Sequence, residues 1–403
     1  MGKLVALTGN EAVAHAVKQC NPDVIAMYPI TPQTQIVEEL AQFYADGEID
    51  AELIAAESEH SAMAACIGAS LSGARVFTAS ASQGIALMFE MLFVASSFRL
   101  PIVMAVSNRA LNSPLNIWND MSDTMGVRDS GWIQIYNQNA QESYHTIIQA
   151  FKIAEDKNVQ LPVMSCHDGF VVSHATEGVE LLEQKDIDDF LPPRKMQFPI
   201  NVEKPVTVGC VGVPEYYPEI KVQQEVATQN SLKVIKEVFD DFNNRFNTNY
   251  ETVSSYQMED AEVALLAIGS LAGTAQETVD KLRKSGKKVG LVKLRVFRPF
   301  PKDDLQGALK DIKVVGVIDR NISFGAMGGA LSMEVRSALY ELKNRPHVMG
   351  FPTGLGGRDT RIEHLEKVVE ILLKAMREDK IEAVYRVVGC RGPGCINVTY
   401  DGG

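Results

Sequence analysis

Short apolar runs separated by helix-length amphipathic segments constrain the fold of this chain more than any other feature. Apolar runs occur at Leu4–Leu7, Asp23–Met27, Ala51–Ala56, Arg75–Thr78, Pro101–Val106 and Leu161–Ser165. Helical periodicity fills Asn10–Cys20, Pro32–Ala45, Ser58–Leu71, Gln83–Ser96 and Gln141–Asp156 between them. Parallel strands need a crossover between them, usually a helix, and are buried on both faces. The alternation predicts a parallel, doubly wound α/β sheet. Between about residues 175 and 255 the rhythm breaks, with Leu191-Pro192-Pro193-Arg194-Lys195 and then a long polar helix over Val222–Asn244. This stretch reads as an interdomain connection with an excursion. From Ala261 the rhythm resumes, with strands at Val263–Ile268, Lys288–Leu294 and Val314–Ile318. Helices follow at Thr274–Ser285, Ala326–Leu342 and Glu363–Arg377, which makes a second, smaller α/β unit and leaves an extended tail after Lys380.

The net charge of −12 repels polyanions and argues against nucleic acid and anionic membranes as partners. No apolar stretch approaches the roughly 20 residues of a membrane span. Met1-Gly2-Lys3 runs straight into a strand rather than a signal segment, so a cytoplasmic location is expected. Six scattered cysteines suit a reducing compartment. Cys390 and Cys395 form a C-x4-C pair in a Gly/Pro-rich tail. A metal or cluster there would need about four ligands, with Cys210 as the other candidate, and a disulfide is the alternative. His15, His145, His347 and His364 share no spacing, so no metal site is expected on this chain.

Polar residues gather at the ends of the expected strands, where an open α/β sheet places its ligands. Tyr28-Pro29-Ile30-Thr31-Pro32 stiffens the chain after Asp23–Met27. Glu57-Ser58-Glu59-His60 follows Ala51–Ala56, and a carboxylate there either caps the helix or projects into a cofactor site. His60 reads as a capping or interface residue, or as an acid–base group. Thr78-Ala79-Ser80-Ala81-Ser82-Gln83-Gly84 opens a helix and suits an anion, a close-packed ligand or simple capping. Arg109 can hold a carboxylate bidentately or form a structural salt bridge. Asn116-Ile117-Trp118-Asn119-Asp120 with Ser122-Asp123 is a long polar and aromatic loop, functional or at an interface. Phe324-Gly325-Ala326-Met327-Gly328-Gly329 opens a helix by close packing or around a phosphate, and Gly354-Leu355-Gly356-Gly357-Arg358-Asp359 is a turn suited to partner contact.

Taken together, Tyr28–Pro32, Glu57–Ala62, Phe77–Gly84, Asn108-Arg109-Ala110-Leu111, Ile117–Asp120 and Asp168-Gly169-Phe170 resemble the alpha subunits of the pyruvate:ferredoxin oxidoreductase (pyruvate synthase) family of 2-oxoacid:ferredoxin oxidoreductases. Leu294–Pro301 and Asp319-Arg320-Asn321 resemble the family's transketolase-C-like domain. The resemblance implies a pyrimidine-binding-type thiamine diphosphate domain over residues 1–175, the connection with its long helix over 176–255, a transketolase-C-like domain over 256–380 and a C-terminal extension over 381–403. It implies decarboxylation of pyruvate, or of another 2-oxoacid such as 2-oxoisovalerate, with coenzyme A and ferredoxin. A non-catalytic scaffold is the rival reading.

The cofactor works through a carbanion at C2, whose formation needs a carboxyl group at N1′ of the aminopyrimidine ring. By position the resemblance gives that role to Glu59, with Glu57 as rival. Burial would favour the protonated form of such a carboxyl. Thr31 and Arg109 are implied as catalytic and substrate-binding residues, Asn119 and Asp120 as pocket lining. Tyr28, Pro29, Ile30, Ser82 and Gln83 are implied in cofactor binding. The Gly-Asp-Gly motif that holds diphosphate and Mg2+ in thiamine enzymes is missing: Asp168 follows His167, and Asp401-Gly402-Gly403 ends the chain. The diphosphate half, Mg2+ and [4Fe-4S] clusters are therefore assigned to beta-, gamma- and delta-type partner subunits.

Overall fold

The computed structural model describes residues 2–196, 200, 202–393 and 395–396. The first unit runs β1 (Lys3–Leu7), α1 (Gly9–Cys20), β2 (Val24–Met27), α2 (Thr34–Ala45), β3 (Glu52–Ala55), α3 (Glu59–Leu71) and β4 (Val76–Ser80). It continues through α4 (Ser82–Leu87), α5 (Phe89–Ser97), β5 (Ile102–Asn108), α6 (Ser122–Gly126), β6 (Ile133–Asn137), α7 (Ala140–Glu155) and β7 (Val163–Asp168). Then come β8 (Glu177–Leu181), α8 (Gln184–Phe190) and the long α9 (Tyr217–Phe246). The second unit holds β9 (Val253–Tyr256), β10 (Val263–Ile268), α10 (Leu271–Lys284), β11 (Val289–Leu294), β12 (Val296–Arg298) and α11 (Lys302–Leu309). It ends with β13 (Val314–Asp319), α12 (Ala330–Leu339), β14 (His347–Pro352) and α13 (Ile362–Glu378).

The expected doubly wound sheet is present, with strand order β12-β6-β7-β5-β4-β2-β3. All its neighbours are parallel except β12, which pairs antiparallel with β6. Every residue of β4, β5, β6 and β7 is buried, as strands covered on both faces must be. The chain moves from β2 outward to β3, then back past β2 to β4. The topological switch point thus lies between β2 and β4, and their following loops flank the crevice there. The second sheet, β14-β13-β10-β11-β9, is parallel except for β9. One apolar cluster runs through both units, from Met63, Ile85 and Met104 to Leu266, Val292 and Leu331.

Five local expectations are corrected. The Leu4–Leu7 run does not join the main sheet: β1 pairs antiparallel with β8 in a separate ribbon, and only Val5 and Leu7 are partly buried. Its alternating burial, not a doubly buried face, shows why. The single helix over Gln83–Ser96 is two, broken at Met88. Strand β6 lay in a stretch read as irregular, because it carries buried polar residues, Gln134 and Asn137. The helix read from Ala326 begins only at Ala330, where Asn321 Oδ1 accepts from Ala330 N (3.2 Å) and Asp319 Oδ2 from Ser332 N (3.1 Å). The long helix starts earlier than expected, at Tyr217, and buries Val234, Ile235, Val238, Phe239 and Phe242 in the first unit's core.

Candidate active site

The loops that follow β2, β3, β4 and β5 meet at one edge of the main sheet, and side chains tie them together. The turn after β2 is fixed from below. Gln33 Nε2 donates to Tyr28 O (2.9 Å), and Asn10 Nδ2 donates to Pro32 O (2.7 Å). Asn10 is itself held by Ser107 Oγ (2.9 Å) beside His167, whose imidazole burial pushes down to about 4 and so keeps neutral. This turn leaves Tyr28, Pro29 and Thr31 exposed and Ile30 partly so.

Helix α3 separates the two rival carboxylates. Ser58 caps it, its Oγ accepting from Ser61 N at 3.2 Å. Glu57, ahead of the cap, is exposed and bonded to the Ser61 hydroxyl, which holds its carboxyl below the usual range. Glu59 opens the helix and is 6 % exposed. It lies on the stripe formed by Ala62, Met63, Cys66, Ile67 and Ser70, the buried face of α3. No described residue hydrogen-bonds its carboxylate. His60 sits half-buried beside it.

The carboxylate of Glu59 stands over Gly84. A Cβ on Gly84 would lie 2.8 Å from Glu59 Cγ and Oε1 and would also strike Ser80 Oγ. Ser80 Oγ and Gln83 Nε2 are buried without partners. An unpaired buried hydroxyl and amide beside an unpaired carboxylate are costly unless a ligand satisfies them. This donor and acceptor set, with glycine as its floor, fits the polar edge of an aminopyrimidine. It does not fit a phosphate: Ser82 N is taken by Asp123 Oδ2 (3.0 Å) and Gly84 N by Ala81 O (2.9 Å).

Asp123 joins the β4 and β5 loops. Its carboxylate accepts from Ser82 N, Arg109 N, Asn108 Nδ2 and Thr124 N at 2.7–3.0 Å. Burial pushes its carboxyl up to about 6, against the pull of those donors. Ser82 adopts φ +46°, a left-handed conformation disfavoured for a non-glycine residue. Its Oγ donates to Ala110 O (2.6 Å). Arg109 is buried, with Nη1 donating to Thr31 O and Nε to Asn116 O, both at 2.9 Å. Glu59, Gly84, Ser82, Arg109 and Thr31 are thus brought together.

Asn119 and Asp120 turn inward instead. Asn119 Nδ2 lies 3.4 Å from Asp168 Oδ1, and Asp120 accepts from Ser122 N (2.9 Å) and Gly356 N (3.2 Å). Asp168, at the end of β7, also accepts from Ser270 N (2.8 Å) and pairs with Arg320, so it binds the second unit to the first. The glycine turn at 354–357 packs on the 116–120 loop of this same chain. The loop at 324–329 has its helix closed by Asp319, which burial pushes up to about 7. Cys390 and Cys395 are joined in a disulfide. The part of the tail from 397 to 403 lies outside the described residues. Sequence reasoning quoted Asp123 and Gly84 but gave neither a role. A carboxylate in the first turn of a short helix reads as an ordinary helix-start residue and carries no signal of four converging donors.

Comparison with known proteins places these observations. Residues 15–240 match the family described as pyruvate flavodoxin/ferredoxin oxidoreductase, thiamine diphosphate-binding, and residues 261–365 match pyruvate:ferredoxin oxidoreductase core domain II. The chain is 48% identical over 378 residues to pyruvate synthase subunit PorA of Methanocaldococcus jannaschii, covering 93% of this chain and 96% of that one. It is 48% identical over 367 residues to the PorA subunit of Thermotoga maritima, covering 91% and 93%. A ketoisovalerate oxidoreductase subunit, VorA of Pyrococcus abyssi, is 44% identical over 378 residues, covering 93% and 95%. A solved 2-oxoglutarate:ferredoxin oxidoreductase of Magnetococcus marinus shares the fold with a TM-score of 0.71 at 22% identity, over 92% of this chain and 65% of that one.

Proposed function

Because the chain belongs to the pyruvate flavodoxin/ferredoxin oxidoreductase family, we propose that it is the alpha subunit of a pyruvate synthase. The complex decarboxylates pyruvate oxidatively with coenzyme A, yields acetyl-CoA and CO2, and reduces ferredoxin. The observation that carries this reading is the unbroken set of contacts from Glu59 over Gly84, through Ser82 and Asp123, to Arg109 and Thr31. A buried carboxylate and a guanidinium linked across the loops beside the switch point support this reading.

Thiamine diphosphate, when bound, supplies the nucleophilic carbon that attacks the 2-oxo group. Glu59 would hold the proton shared with N1′ of the aminopyrimidine, and Ser80 and Gln83 would be the residues that bond the same ring. Ile30, Pro29 and Tyr28 line the cofactor's approach. Arg109 has Nε and one Nη1 hydrogen engaged, so it offers its terminal Nη edge to the carboxylate of the 2-oxoacid until CO2 departs. The exposed Thr31 hydroxyl bonds the oxo oxygen. Asn119 and Asp120 act on the substrate only through the loop they hold. Residues 1–175 form the cofactor unit in this reading. Beta-, gamma- and delta-type partners supply the diphosphate half-site, Mg2+ and [4Fe-4S] clusters. The assembly works in the cytoplasm; among the described residues no helix is long and apolar enough to cross a membrane.

The 44% identity to a ketoisovalerate oxidoreductase subunit keeps 2-oxoisovalerate as the second substrate reading. The test is to purify the chain with its native partners and assay coenzyme-A-dependent viologen reduction with a panel of 2-oxoacids. Pyruvate is expected to give the highest kcat/KM, with no turnover by this chain alone. Higher kcat/KM with 2-oxoisovalerate overturns the substrate, and turnover by the isolated chain overturns the half-site.

A further inference from the structure

Arg109 is held at three points, two of them on α6 and on the turn after β2. Its N–H binds Asp123, and Nη1 binds Thr31 O. The third, Asn116 O, lies across an exposed loop: residues 112–115 are exposed, Leu115 by 74%. An acceptor on such a loop fixes a guanidinium only if something fixes the loop.

Beside the backbone bond from Ala110 N to Trp118 O (3.0 Å), the anchor next to the acceptor is the Asn116 side chain. Its Oδ1 accepts from Trp118 N (2.7 Å), which closes the loop on itself. Its Nδ2 donates to Gly356 O (3.1 Å), across 240 positions of sequence, on the glycine turn of the second unit. Gly356 N in turn donates to Asp120 Oδ2 (3.2 Å). The turn is shaped for this contact. Gly356 and Gly357 have φ +59° and +82°, and a Cβ on Gly356 would come 2.6 Å from Asn116 Nδ2. Arg358 Nη1 binds Gly389 O (2.8 Å) and holds the turn from its far side. One residue therefore accepts from Arg109 with its backbone and grips the second unit with its side chain.

We propose that Asn116 is a positioning residue for the 2-oxoacid carboxylate, and that the second unit sets the aim of Arg109 through it. This rests on the reading of Arg109 as the carboxylate-binding residue. Asn116 touches no reacting atom; its effect passes through the Arg109 Nε bond.

The test uses the complete complex carrying Asn116→Ala, Gly356→Ala, Arg109→Lys, or Asn116→Ala with Arg109→Lys. Losing one neutral hydrogen bond changes an equilibrium by roughly three- to tenfold. Asn116→Ala and Gly356→Ala should each raise KM for pyruvate by that factor. The KM for coenzyme A should stay at the parental value in both; the melt should change little in Asn116→Ala, whereas Gly356→Ala, with a side chain forced to φ +59°, should melt lower. Arg109→Lys keeps the charge but loses the fork and both side-chain anchors, so it should raise KM further. Because Asn116 acts through Arg109, the double variant should be no worse than Arg109→Lys alone. Full additivity, or an unchanged pyruvate KM in Asn116→Ala while Arg109→Lys is impaired, overturns the inference and leaves the function standing. An unchanged pyruvate KM in Arg109→Lys itself overturns the reading of the site.

Discussion

Gly84→Ala is the sharpest perturbation of the candidate site, because the glycine determines where the Glu59 carboxylate can stand. The added Cβ would lie 2.8 Å from Glu59 Cγ and Oε1, while ordinary contact begins near 3.4 Å, so Glu59 must retreat by about 0.6 Å. Glu59 Cγ is close to the main chain, and a rotation at the tip of the side chain cannot absorb the shift. A misplacement of about 1 Å at a reacting group costs up to roughly 100-fold. A loss of about 10- to 100-fold in kcat follows. The fold should survive. Alanine in a helix gains up to about 1 kcal/mol over glycine, against about 1–3 kcal/mol for overpacking. The net loss is then about 0–2 kcal/mol. The assay is thiamine-saturated turnover of the assembled complex, with a thermal melt of the same sample. A kcat within threefold of the parent would refute the argument that Gly84 positions Glu59. A collapsed melt would show that overpacking had been underestimated.

Other predictions follow from the same contacts. Gly68→Ala is the matched control on α3: no atom lies within 4 Å of its added Cβ, so it should stabilise by about 0.5–1 kcal/mol and leave kcat unchanged in denaturant and activity measurements. Glu59→Gln should abolish turnover by the complex, whereas Glu57→Gln, at an exposed position, should stay within twofold; the reverse order would return the role to Glu57. Glu142 sits between Lys293 and Arg295 of the second unit. Burial pushes its carboxyl up, but the two cations outweigh that and hold it at about 2, below its ordinary value of 4.5. A depressed folded-state value means that its contribution is complete above pH 4.5 and is lost as the pH falls towards 2. That contribution is of the order of 3 kcal/mol. Glu142→Gln should remove this part of the acid limb in pH-dependent denaturant titrations and lower stability at pH 7, since one partner of a buried pair is lost.

The architecture was legible because doubly buried strands must be continuous apolar runs, and crossover helices must lie between them. Strand β5, Ile102–Asn108, announced itself in this way, whereas β6 did not, because Gln134 and Asn137 are buried in its middle and end. Gln134 Nε2 donates to Thr124 O and Asn137 Nδ2 to Ser165 Oγ, partners outside the strand that its own sequence does not reveal. A period-based reading counts such residues as solvent-facing. Long-range closure was illegible for the same reason: β12 joins the first sheet from the second unit, and Asn116 reaches Gly356.

The choice between Glu57 and Glu59 was open to sequence reasoning in principle. Residues 59, 62, 63, 66, 67 and 70 recur at helical spacing and include Ala62, Met63, Cys66 and Ile67, so they define the buried stripe of α3. Glu59 stands at the head of that stripe, whereas Glu57 precedes the cap. Burying a carboxylate without a cation or donor destabilises a fold, so a stripe shaped by stability alone would end in an apolar or capping residue. Ser58 already caps this helix, which leaves Glu59 without a structural duty. The same logic applies to Ser80 and Gln83, whose orphaned atoms face the same glycine floor or adjoin it. Glu59 Oε1 and Ser80 Oγ converge on Gly84, and with the orphaned amide of the adjoining Gln83 they are most simply satisfied by a ligand with complementary donors and acceptors. That is why the functional reading rests on this cluster rather than on any motif taken singly.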